Sequence, residues 1–165
     1  MRLFLDTANL DEIRWALATG LIDGVTTNPS LIAQELDHGD PTEHVTAIAR
    51  LVPGPVTVQV ISTDADGMSR EAKELARIGA NIVIEIPMIE EGLIAVRRVV
   101  PEGLHVNVTL VFTAAQALLA AKAGAAYVSP FVGRLDDSGV DGGELVSDIR
   151  GMFDRFAPEC EILAS

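Results

Sequence analysis

The 165-residue chain is 48% hydrophobic and carries a formal charge of -12. That composition suits one domain with a real core. It argues against nucleic-acid and anionic-membrane partners, which are held by clustered Lys and Arg. Cys160 is the only cysteine, so no intrachain disulfide can form, and a reducing, cytoplasmic setting is expected.

In chain order, the first apolar run, 2–6, reads as a strand and reaches Asp6 after only three apolar residues. That is too short for the roughly 7–15 residue core of a secretory signal, and no run is long enough to span a membrane. A helix is expected over 10–19, opening with Asn9 and Glu12 in capping-box spacing and ending at Gly20. A strand over 22–26 follows, then helices over 30–36 and 41–51 and a strand over 55–61. The pattern continues with helix 66–78 ending at Gly79, strand 81–86, helix 90–98, strand 104–109, helix 113–123 ending at Gly124, strand 126–129, helix 142–156 and strand 160–164. The strands are nearly continuous apolar runs, as expected where crossover helices cover both faces.

The expected fold class is therefore α/β of the (β/α)8 TIM barrel type. A complete barrel takes roughly 200–250 residues, so residues 1–165 are expected to form a single, incomplete barrel domain ending around the seventh strand. An open doubly wound sheet is the alternative, but neither a Gly-x-Gly-x-x-Gly sequence nor a Walker sequence supports a nucleotide-binding version.

In such barrels the chemistry sits at the C-terminal ends of the strands. The polar residues to question there are Asp6, Thr26, Thr27, Asn28, Gln59, Glu85, Asn107, Thr109 and Ser129. A carboxylate inside an apolar run is costly to desolvate, which singles out Asp6 and Glu85. Thr27, Asn28, Pro29 and Ser30 would serve equally as the capped start of a helix, and Thr109 and Ser129 as core hydroxyls bonded to backbone. Asp136, Asp137, Asp141 and Asp148 lack the spacing of a calcium loop. His38, His44 and His105 give no metal pattern, so neither a metal nor another cofactor is expected. Met68, Met88, Met152, Trp15 and Cys160 read most simply as core.

Four segments together resemble the small bacterial transaldolases and the fructose-6-phosphate aldolases. They are Phe4-Leu5-Asp6-Thr7-Ala8-Asn9, Gly24-Val25-Thr26-Thr27-Asn28-Pro29-Ser30, Asn107-Val108-Thr109 with Gln116-Ala117, and Val128 through Asp137. The resemblance implies cofactor-free Schiff-base chemistry on phosphorylated ketoses in pentose phosphate metabolism, and homo-oligomeric rings, pentamers or decamers. It implies Asp6 as the proton-transfer group, Thr109 as the holder of the catalytic water, and Asn28 and Ser129 as partners of substrate hydroxyls. It makes Arg134 a phosphate contact and places Thr26 beside the substrate. Gln59 resembles the aldolase branch and Phe131 the transaldolase branch.

The sequence departs from the pattern at Val83-Ile84-Glu85-Ile86-Pro87, where the family has lysine at the position of Glu85. Glutamate cannot form an imine, and the two lysines present, Lys73 and Lys122, fall in helical stretches. Schiff-base turnover is expected to be lost or very weak. The alternatives are a non-catalytic sugar-phosphate-binding or scaffold subunit, an aldolase-like lyase, and proton-transfer chemistry by a carboxylate pair.

Overall fold

The computed structural model describes residues 1–36 and 38–165. Among these described residues, seven strands follow one another in the sheet in chain order, parallel at every defined register and separated by helices. This is the α/β topology of the (β/α)8 barrel type, carried to the seventh strand. None of the described helices is long and apolar enough to cross a membrane.

The chain divides into two compact units, and the division falls inside β4 (Ile82–Pro87) and inside α4 (Ala65–Leu75). The first unit, Met1–Ile61 with Arg70–Ile84, holds β1 (Phe4–Asp6), α1 (Leu10–Thr19), β2 (Gly24–Thr26), α2 (Pro29–Glu35), α3 (Pro41–Leu51) and β3 (Val56–Gln59). Its core is Ile13, Val25, Ile48, Val52, Val56 and Val58, the β-branched residues that favour strands together with the inward face of each helix. Helix α1 begins and ends where the sequence predicts, because the Asn9 side chain accepts from the backbone N–H groups of Asp11 and Glu12, and Gly20 closes it at φ 69°. Asn81 anchors the end of α3 and the loop that leads into β3 by donating to the carbonyls of Ala49, Val52 and Gly54 at 3.1, 2.8 and 3.0 Å.

Trp15 departs from the expected core, being 71% exposed. The buried residues of α1 are Ile13 and Ala16, and a residue two positions after Ile13 is turned about 200° from it around a helix of 3.6 residues per turn.

The second unit, Ser62–Ser69 with Glu85–Ser165, holds α5 (Glu90–Val99) and the 3-10 turn Val100–Glu102. It continues through β5 (Val106–Val111), α6 (Ala114–Ala123), β6 (Tyr127–Pro130), α7 (Val132–Asp137), α8 (Gly142–Phe156) and β7 (Glu161–Ile162). Ile86, Val96, Val99, Val106, Val108, Val111, Val128, Ile149 and Phe153 are buried without measurable exposure. Helix α6 opens on a complete capping box, Thr113 with Gln116. Helix α7 has no sequence-level counterpart, since its six residues, Val-Gly-Arg-Leu-Asp-Asp, carry no apolar period.

Candidate functional site

In the first unit, Asp6 is the last residue of β1 and pairs in register with Thr26, whose hydroxyl donates to Asp6 Oδ1 at 2.8 Å. The expected burial of Asp6 does not hold: the residue is exposed, because the three-residue strand ends there and its carboxylate lies past the apolar run. The loop after it is held from three sides. Thr7 donates to Glu12 Oε2 at 2.6 Å and accepts from the Asn9 backbone N–H at 3.1 Å. Asn9 Nδ2 donates to Glu35 Oε2 at 2.9 Å, and the His44 ring nitrogen lies 2.7 Å from the Ala8 carbonyl.

Asn28 caps α2, its Oδ1 accepting from the Leu31 N–H at 3.0 Å, so its amide N–H groups are what it can offer a ligand. Gln59 ends β3 on the wall of an open cleft of about 440 Å³, otherwise lined chiefly by apolar side chains such as Ile32, Val45, Val58 and Leu75. The hydroxyls of Thr27 and Thr57 are buried without a hydrogen-bond partner among the described residues.

In the second unit a continuous polar chain crosses three strands. Asn107 on β5 donates through Nδ2 to Glu85 Oε2 on β4 at 3.1 Å, and its Oδ1 accepts from the Ser129 hydroxyl on β6 at 3.1 Å. Asn107 has no exposed surface, Ser129 is 4% exposed, and Glu85 is half-buried. Buried polar groups stay satisfied this way. Ser129 therefore bonds to a side chain and not to backbone.

Beside this chain the β5–β6 register shifts, with Val108 opposite Val128 and Val111 opposite Pro130. Thr109 and Leu110 together face one residue, Ser129, which is the geometry of a β-bulge. Leu110 takes the left-handed φ of 60°, a strained conformation for a residue with a Cβ. Thr109 is 3% exposed, and its carbonyl accepts from the Met88 N–H at 2.8 Å. Phe131, directly after β6, meets Phe112 edge to face with centroids 5.8 Å apart. Arg134 lies exposed on α7.

The structure thus joins Asp6 to Thr26 and Glu85 to Ser129. The intermediary Asn107, noted in the sequence only as a polar strand residue, and Phe112 are additions. Asn107 stands two residues before Thr109 in an apolar run, the spacing that places residues on one strand face. Lys73 and Lys122 lie on α4 and α6, so neither is on a strand. No group of three or more His, Cys, Asp or Glu side chains among the described residues could hold a metal ion. The Cys160 thiol is pushed up to about 12 by burial, with Glu161 adding to the rise and Arg150 opposing it.

The family model described as Transaldolase/Fructose-6-phosphate aldolase matches residues 3–165. A probable transaldolase of Desulfotalea psychrophila is 56% identical over 166 residues, covering 100% of this chain and 76% of that protein. Probable transaldolases of Thermoanaerobacter sp. (strain X514) and Desulforudis audaxviator are 57% and 58% identical over 165 residues, with the same coverage of both chains. Matched along nearly its whole length by the family model, and by relatives at this identity, the chain belongs to the transaldolase/fructose-6-phosphate aldolase family.

Proposed function

We propose that this chain is a transaldolase-type protein acting on phosphorylated ketoses, in which Glu85 occupies the position of the Schiff-base lysine and the covalent step is lost or very weak. One observation carries this reading: the side chain that β4 aligns with Asn107 and Ser129 is a carboxylate. An imine needs a nucleophilic amine with a lowered pKa, and a glutamate offers no nitrogen for that bond. The other roles follow the family pattern. In the first unit, Asp6 moves the proton, oriented by Thr26, with Gln59 as a further catalytic group, while Asn28 meets a substrate hydroxyl. In the second, Thr109 holds water, Ser129 meets a hydroxyl, Phe131 packs on the sugar chain and Arg134 receives the phosphate as a fork of N–H donors. A cytoplasmic location and a homo-oligomeric ring belong to the same reading, and sedimentation of the purified chain tests the latter.

The decisive assay measures triose-phosphate release from fructose 6-phosphate, with and without erythrose 4-phosphate, in the native chain and in Glu85→Lys. Turnover in the lysine variant alone, with an imine trapped by borohydride, supports the reading, and acceptor dependence separates transfer from cleavage. Absence of both turnover and trapped imine in Glu85→Lys refutes it. A second reading, a non-catalytic sugar-phosphate-binding subunit, is favoured by the integration of Glu85 into the Asn107–Ser129 chain. Calorimetry that detects no sugar-phosphate binding to the native chain eliminates it.

A further inference from the structure

Along a regular strand, successive side chains alternate between the two faces of the sheet. Were β5 regular, Asn107, Thr109 and Val111 would share one face, and Val108, Leu110 and Phe112 the other. The observed pairing differs. Val108 stands opposite Val128 and Val111 opposite Pro130. Val128 and Pro130, two residues apart on β6, share a face, so Val108 and Val111 share it as well. Three steps along β5 thus match two along β6, and the alternation inverts at the extra residue. Phe112, one position beyond Val111, is brought round to the face that carries Asn107 and Ser129.

The aromatic contact agrees with this. Phe131, one position beyond Pro130, falls on the same face, and its ring meets that of Phe112 at 5.8 Å and 86°. The backbone is pinned on both sides of Phe112. The Phe131 N–H donates to the Val111 carbonyl at 3.0 Å, and Gln116 Oε1 accepts from the N–H groups of Phe112 and Thr113 at 2.8 and 3.1 Å. The inversion is made at Leu110, whose φ of 60° is the one positive value outside glycine among the described residues. Such a conformation is costly for a residue with a Cβ and persists only where its surroundings impose it.

We propose that Leu110 is a positioning residue: its left-handed backbone turns Phe112 onto the face of Asn107 and Ser129, and Phe112 in turn fixes the ring of Phe131. The contact of Phe131 with a sugar rests on the family reading, whereas the positioning does not.

The test compares Leu110→Gly with Leu110→Ala by urea denaturation and NMR. Both remove the branched side chain, but only glycine takes a positive φ freely. Inside a regular strand glycine is the less stable of the two. Here the order is expected to reverse, with a folding equilibrium constant for Leu110→Gly on the order of fivefold above that for Leu110→Ala, about 1 kcal/mol. Nuclear Overhauser contacts between the Phe112 and Phe131 rings are expected in the native chain and in Leu110→Gly. Three-bond couplings should report one Phe131 χ1 rotamer in both, and rotamer averaging in Phe112→Leu. Leu110→Gly no more stable than Leu110→Ala, missing ring contacts in the native chain or in Leu110→Gly, or a single unchanged Phe131 rotamer in Phe112→Leu would each overturn the proposal. None of these measurements needs turnover, so they are separate from imine trapping in Glu85→Lys, on which the family reading stands or falls.

Discussion

Replacing Asn107 by alanine removes the middle of the polar chain and should be among the most destabilising single changes in the second unit. The bond from Asn107 to the Glu85 carboxylate is of the kind worth roughly 1.5–3 kcal/mol, and the one from Ser129 is worth about 1 kcal/mol. Truncation also strands the Ser129 hydroxyl at 4% exposure and leaves a void where the amide stood. Taken together the loss should be about 3 kcal/mol, a large part of a net stability on the order of 5–15 kcal/mol. For a chain of this length that corresponds to a fall in Tm of about 6–12 °C. Urea denaturation of the native chain, Asn107→Ala, Ser129→Ala and the double variant measures both the loss and the coupling, expected at 0.5 kcal/mol or more for residues in direct contact, on the order of values seen for such pairs. A loss below about 1 kcal/mol, or additive single effects, would refute the assignment of a continuous, buried chain.

Other expectations concern packing and titration. Gly92→Ala would place a Cβ 2.1 Å from the Pro87 carbonyl oxygen, a clash with backbone that cannot yield, so a loss of several kcal/mol, roughly the upper range for single substitutions, should appear in thermal melts. Asn81→Ala strips three carbonyls of their shared donor and should lower stability by about 2 kcal/mol in urea titrations. Cys160, with its thiol pushed up to about 12, should resist thiol reagents at pH 8 in the folded chain and react once the chain is unfolded. The sign of its pH effect follows from linkage. Above the ordinary thiol value of 9.0 the unfolded chain loses its proton while the folded chain keeps it. This thiol therefore makes stability decline from about pH 9 toward about pH 12, and Cys160→Ala should flatten that part of the curve.

Features that depend on near neighbours were legible along the chain. Continuous apolar runs marked all seven strands, and Asn9, Gly20 and Gly124 marked helix ends, because a cap or an apolar run acts on residues within a few positions. The parallel strand-helix repeat likewise pointed to Asp6, Glu85, Thr109 and Ser129, since it assigns chemistry to strand ends. Tertiary structure decided which of these side chains meet. That Asn107 links Glu85 to Ser129, that two residues of β5 face one of β6 at Leu110, and that Asp6 and Trp15 lie exposed all follow from register and packing. Those contacts join residues about 20 positions apart, and a pattern read along one strand carries no record of the register its neighbours adopt, because register is set by burial of the whole face.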